Sequence, residues 1–148
     1  MEVTCLRHAQ SVFNRDLTSE KDCELSEEGI LKAKEVSGTY DVIICSILKR
    51  AKQTLLYSNL SSKQLHFTDL CREVRRDICD FLEGEDETKL ETDEEISKRI
   101  AEFKQFLKEK VSAGQKVLII CHRDFIYELQ GKKGHLPDNL EFRTIQLE

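Results

Sequence analysis

The tightest constraint on this chain is the run Lys116-Val117-Leu118-Ile119-Ile120-Cys121, apolar and β-branched at its centre with no polar interruption. A strand with one wet face alternates, whereas a strand covered on both faces reads as a continuous apolar run. Asp41-Val42-Ile43-Ile44-Cys45 has the same character, and Val3-Thr4-Cys5-Leu6 is a shorter version of it. Gln64 to Thr68 reads as a weaker third strand in chain order, and Phe142 to Leu147 as a last one. Between them lie helical patterns. Ser26 is placed to cap a helix whose first turn holds Glu27 and Glu28 and whose apolar positions are Ile30, Ala33 and Val36. Ala51 to Leu56 reads as a helix, and Phe125 to Leu129 as the start of another. Thr92-Asp93-Glu94-Glu95 is a capping box. Behind it Ile96, Ile100, Phe103, Leu107 and Val111 mark one helical face, with Gly114 as the expected stop. The acidic stretch 83–95 reads as a solvated loop. Doubly buried strands alternating with helices predict an α/β domain with a mainly parallel sheet.

A chain of 148 residues fits one domain over 1–148. Its net charge of −5 argues against nucleic acid as the main partner, since phosphate-backbone binding requires a basic face. No stretch approaches the ~20 apolar residues of a membrane helix. The opening MEVTCLRHAQ lacks the basic start and apolar run of a signal peptide, so a cytoplasmic location is expected. The cysteines at 5, 23, 45, 71, 79 and 121 form no CxxC, and Cys5, Cys45 and Cys121 lie in or at the end of apolar runs. That pattern suits reduced, buried thiols, and no Cys/His spacing suggests zinc.

Three strands end alike. The first is followed by Arg7-His8, the second by Ser46 and, a few residues on, Arg50, and the one at 117–121 by His122-Arg123. In open parallel sheets, ligands bind outside the carboxyl ends of the strands. A lone histidine at a strand end is more often an ordinary surface or capping residue. Three strand ends that deliver Arg7, His8, Arg50 and His122 to one edge instead predict a pocket for a small anion, and arginine's planar fork suits phosphate.

These residues sit in motifs that resemble those of the histidine phosphatase superfamily, the phosphoglycerate mutase-like enzymes. Leu6 to Asn14 (LRHAQSVFN) resembles its RHGxSxxN signature. Asp22 to Gly29 with Ala33 resembles DxxLTxxGxxQA, and Ser46 to Thr54 (SILKRAKQT) resembles SPLxRAxQT. Leu70 to Glu73 resembles the LxRE segment, and Val117 to His122 (VLIICH) resembles VLIVSH. The five segments come in family order and span nearly the whole chain. The resemblance implies a three-layer sandwich with a mainly parallel central sheet flanked by helices. It also implies that His8 attacks phosphorus and becomes a phosphohistidine. Arg7, Asn14, Arg50 and His122 would hold the phosphoryl oxygens, and Glu73 would protonate the leaving oxygen. No metal and no cofactor are implied, because the arginines supply the charge.

The chain departs from these motifs at Ala9, where glycine is usual, at Ile47, where proline is usual, and at Arg123 after the second histidine. Glu73 is followed by Val74-Arg75-Arg76-Asp77 rather than a glycine-containing run, which makes Glu83, before Gly84, a rival for the acid. The expected function is hydrolysis of phosphomonoesters. The alternatives are mutase-type phosphoryl transfer, a phosphohistidine or phosphoprotein phosphatase, and a binding module without catalysis. The expected partner is a small phosphorylated substrate or a phosphoprotein, with neither nucleic acid nor membrane; the sequence leaves the oligomeric state open. Specificity is expected in the loops 12–24, 72–92 and 123–138.

Overall fold

A computed structural model describes residues 1–17 and 20–148. Its centre is a five-stranded sheet built from β1 (Glu2–Arg7), β2 (Ser37–Ser46), β3 (Asn59–Thr68), β4 (Val117–Cys121) and β5 (Phe142–Gln146), in the order β3-β2-β4-β1-β5. All neighbours are parallel except β1 and β5. The most apolar run of the sequence takes the central position, and every residue of β4 is buried. The sheet is therefore the mainly parallel one expected from the continuous apolar runs.

The two faces carry separate cores. Val3, Cys5, Val42, Ile44, Val117, Ile119 and Cys121 point to one face, where they pack with Phe103 and Leu107 of α4 (Asp93–Lys110) and Phe125, Ile126 and Leu129 of α5 (Arg123–Leu129). Leu6, Ile43, Cys45, Leu118 and Ile120 point to the other, where Ala51 of α3 (Lys49–Tyr57) joins them. Beside α3, helix α2 (Glu27–Ala33) adds Ala33, packed with Ala9 and Leu25. Helices thus cover both faces of the sheet. All six cysteines are free and buried. Among the described residues, no helix is long and apolar enough to cross a membrane.

Thr92 caps α4 in a capping box with Glu95, and Ser26 caps α2 through the Gly29 N–H. Helix α2 stops at Ala33, so Val36 lies beyond it; α4 ends at Lys110, and Gly114 turns the chain after it with φ +83. The weak strand at 64–68 is the end of a ten-residue edge strand. A short helix α1 (Val12–Asp16) follows the first motif, capped by Ser11 and unforeseen. The acidic stretch is not wholly solvated. Glu91 is buried in a two-pronged ion pair with Arg99 of α4, at 2.8 Å on both prongs.

Candidate active site

The register of the parallel strands aligns their carboxyl ends. Arg7 lies opposite Cys121 and Cys45 opposite Ile120, so His8, Ser46 and His122 emerge side by side. The ring centroids of His8 and His122 are 5.2 Å apart. Arg50, in the first turn of α3, donates from Nε to His8 Nε2 at 3.3 Å. Arg7, His8, Arg50 and His122 thus meet at one edge of the sheet, as the strand ends predicted.

His8 is buried at 2% exposure, and its backbone is held from both sides. Its N–H donates to Cys121 O at 3.1 Å, and its C=O accepts from Asn139 Nδ2 at 3.0 Å. The imidazole Nδ1 lies 2.6 Å from Ala9 O. A carbonyl can only accept, so Nδ1 carries the proton and Nε2 presents a lone pair, the one Arg50 meets. Burial, then Arg50 and Arg7, push the His8 pKa well below that of a free histidine. The ring is therefore neutral at physiological pH. Ala9 is fully buried and donates its N–H to Thr54 Oγ1 at 2.9 Å, so its methyl group is accommodated where the motif has glycine.

His122 is fully buried and neutral for the same reasons, burial first and the nearby Arg50 next. Its Nε2 is 2.8 Å from Ser46 Oγ. That oxygen also accepts from Leu48 N–H at 3.3 Å, and when its own proton is directed to Nε2, His122 carries its proton at Nδ1. Among the described residues, Nδ1 is buried without a partner, as is Nε of Arg7, whose Nη1 donates to Pro137 O at 3.0 Å. Two orphaned donors in a cationic pocket are the condition an oxyanion would satisfy.

Glu73 enters from the segment after β3. Its carboxylate is buried at 7% exposure and accepts from three backbone N–H groups, those of Val74 (3.0 Å), Asp124 (3.1 Å) and Phe125 (2.9 Å). Burial, with Asp124 and Asp80 nearby, raises its pKa to about 7. Two of these N–H groups, those of Asp124 and Phe125, lie in the first turn of the helix after His122, and the charges of Arg50 and Arg7 are felt at Glu73, which puts it beside the same cluster. Glu83 is exposed and lines a different surface depression with Lys21, Asp22 and Lys49. Geometry therefore favours Glu73 over its rival.

Asn14 is less closely tied. It is exposed on α1, where its Oδ1 accepts from Ser11 N at 3.1 Å and from Asn139 Nδ2 at 3.2 Å. Asn139 thus bridges Asn14 to the carbonyl of His8, a contact nothing in the sequence signalled. Arg123 is also exposed and pairs with Asp124 at 3.0 Å. Two buried residues escaped sequence reasoning. Asp80 pairs with Arg50 at 2.9 Å, and the carbonyl of Cys79 accepts from Arg50 Nη1 at 2.8 Å. Both lie on a short 3-10 turn (Ile78–Asp80) far from Arg50 in sequence, where no local pattern could reveal them.

A family profile described as histidine phosphatase superfamily (branch 1) matches residues 3–76. The chain belongs to this superfamily. Among solved structures, a putative alpha-ribazole-5'-P phosphatase from Escherichia coli superposes with a TM-score of 0.73 at 19% identity, over 100% of this chain and 91% of that one. The alpha-ribazole phosphatase from Shigella flexneri gives 0.73 at 21% over the same shares. A phosphoserine phosphatase from Entamoeba histolytica, in complex with 3-phosphoglyceric acid, gives 0.64 at 20%, over 97% and 89%. These likenesses show the fold, and two of the expected specificity segments, 72–92 and 123–138 (the latter beginning with α5 rather than a loop), send Asp80 to Arg50 and Pro137 to Arg7. Thr18 and Ser19, inside the 12–24 loop, lie outside the described residues.

Proposed function

We propose that the chain is a phosphatase that hydrolyses phosphomonoesters through a phosphohistidine on His8. The observation that carries this reading is the Nδ1 contact with Ala9 O, which leaves Nε2 of a neutral imidazole unprotonated among cations. A nucleophile for phosphorus needs that lone pair. Phosphoryl transfer otherwise depends on positioning and on neutralising the equatorial oxygens. Arg7, Arg50 and the Nδ1–H of His122 supply the donors, and Asn14 reaches the same side through α1. Metal independence follows from that donor set, which places fixed positive charge where a metal would otherwise act. Glu73 is the acid for the leaving oxygen, because its Oε2, which accepts from Asp124 N–H, retains a position for a proton. The phosphatase names among the similar folds support the same activity class. We place the reaction in the cytoplasm, within one domain over 1–148.

The test is rapid quench with 32P-labelled phosphomonoester. His8→Ala protein should stay folded, lose turnover and trap no label, whereas wild type should show an acid-labile, base-stable phosphoenzyme. Label retained by His8→Ala would show that another residue is the nucleophile.

A further inference from the structure

In the resting site, Arg50 touches the nucleophile itself, since its Nε–H bonds His8 Nε2. That bond cannot survive the reaction, because the Nε2 lone pair must bond to phosphorus. The Nε–H has to pass from His8 to a phosphoryl oxygen while the rest of the fork stays in place. The guanidinium has five N–H donors. One is spent on His8, one on Cys79 O at 2.8 Å and one on Asp80 Oδ1 at 2.9 Å, which leaves one on each Nη. Arg50 and Asp80 are 3% and 4% exposed, so water does not compete for these contacts.

Asp80 is itself fixed. Its Oδ2 accepts from the N–H groups of Asp77 (2.9 Å) and Arg76 (3.2 Å), and its C=O accepts from Arg72 Nη2 at 2.9 Å. Arg72 is in turn held by both oxygens of Glu85, at 2.7 and 3.0 Å. One carboxylate therefore joins a hydrogen-bonded turn to the donor that has to change partners. We propose that Asp80 is the positioning residue of the reaction: it anchors the far edge of the Arg50 fork so that Nε–H can transfer from His8 to the phosphoryl group without the arginine leaving the pocket. The proposal rests on the reading of Arg50 as a phosphoryl-holding group.

Asp80→Asn is a suitable probe because the amide oxygen can still accept from the Asp77 and Arg76 N–H groups. The NH2 then faces Arg50, where a donor meets a donor. The turn survives and the anchor is lost. The experiment is a double-mutant cycle on kcat/KM for p-nitrophenyl phosphate, with wild type, Asp80→Asn, Arg50→Ala and the double variant. Thermal melts accompany each. Asp80→Asn should lose ~10-fold or more in kcat/KM, carried by kcat, in wild-type background. In Arg50→Ala background it should lose less than ~2-fold, because the group it positions is gone. Asp80→Glu keeps the charge but lengthens the anchor by a methylene; it should keep a near-wild-type melt and still lose kcat, which a purely structural role would not produce. Equal losses in both backgrounds, or wild-type kcat in both Asp80 variants, would overturn the anchor while leaving Arg50 in its role. Wild-type kinetics in Arg50→Ala would overturn that role, and the anchor with it.

Discussion

Glu73 combines two opposing influences on one carboxyl group. Three backbone N–H groups favour its charged form, while burial favours the neutral one and, with Asp124 and Asp80, prevails to about pH 7. A group poised there can donate a proton below neutrality and hold its conjugate base above it. An alkoxide leaves poorly without a proton, and a nitrophenolate leaves readily. Glu73→Gln should therefore slow hydrolysis of glycerol phosphate by ~100-fold or more and spare p-nitrophenyl phosphate far better. The wild-type rate on glycerol phosphate should fall as pH rises through about 7, and the variant should lack that limb. Equal, weak effects on both substrates would make Glu73 a structural partner of the α5 backbone. The candidate site residues legible without the family resemblance were those tied to strand ends, since a strand end fixes where the next side chain goes, whereas Asn14 and Glu73 came only from the resemblance. His8, Arg50 and His122 followed from that rule. Asp80 and Asn139 did not, because each reaches the site through a loop whose path is set by packing over long sequence separation.

At the level of elements, the segment carrying Glu73 has no strand or helix of its own to hold it. Arg99 of α4 does this work. Its Nη1 donates to the carbonyls of Leu70 (2.9 Å) and Arg72 (2.8 Å), and its Nε and Nη2 grip the two oxygens of Glu91. Glu91 also accepts from Arg75 N–H at 3.2 Å, so the acidic stretch, Arg99 and the 70–75 segment form one knot. Periodicity placed α4 and its apolar face, and Arg99, three residues after Ile96 and four before Phe103, lies on the flank of that face, where its charge gives no sign of burial. Composition likewise made Glu91 one acid among many. Each is the other's two-pronged charge partner, and the carbonyls on Arg99 and the Arg75 N–H on Glu91 do not replace that charge, so removing one leaves a buried charge poorly compensated. Glu91→Ala should lower stability by about 3–5 kcal/mol in urea unfolding. A loss under ~1 kcal/mol, the scale of an exposed pair, would show that water reaches Arg99 in solution. By contrast, the mainly parallel sheet covered by helices followed from the doubly apolar runs, whereas the order β3-β2-β4-β1-β5 did not, because an apolar run does not say which strands become its neighbours.

The molecule as a whole holds three titrating groups in one buried pocket, and they bias its stability in opposite directions with pH. His8 and His122 are depressed well below 6.5, mainly by burial. The unfolded chain binds protons at these positions more readily, so their contribution is present above about 6.5 and is lost as pH falls below it. Glu73 is raised, from 4.5 to about 7, so here the folded chain binds the proton more readily. Its contribution is present below 4.5 and is lost as pH climbs through the interval to about 7. Between these values the two histidines and the glutamate act against each other, and the acid loss of stability is shallower than the histidines alone would give. Glu73→Gln removes the opposing member. Whatever fixed cost the amide incurs against the Asp124 N–H, the difference between variant and wild type should move in the variant's favour as pH rises from 4.5 to 7. The full change is on the order of 3 kcal/mol, from roughly 1.4 kcal/mol per pKa unit. Below 6 the variant should lose stability toward acid more steeply than wild type. Urea midpoints measured at half-unit steps from pH 4.5 to 8 decide the matter: parallel curves would mean that Glu73 is ionised throughout, with a pKa near that of a free carboxyl, and that its role as an acid near neutrality fails with it.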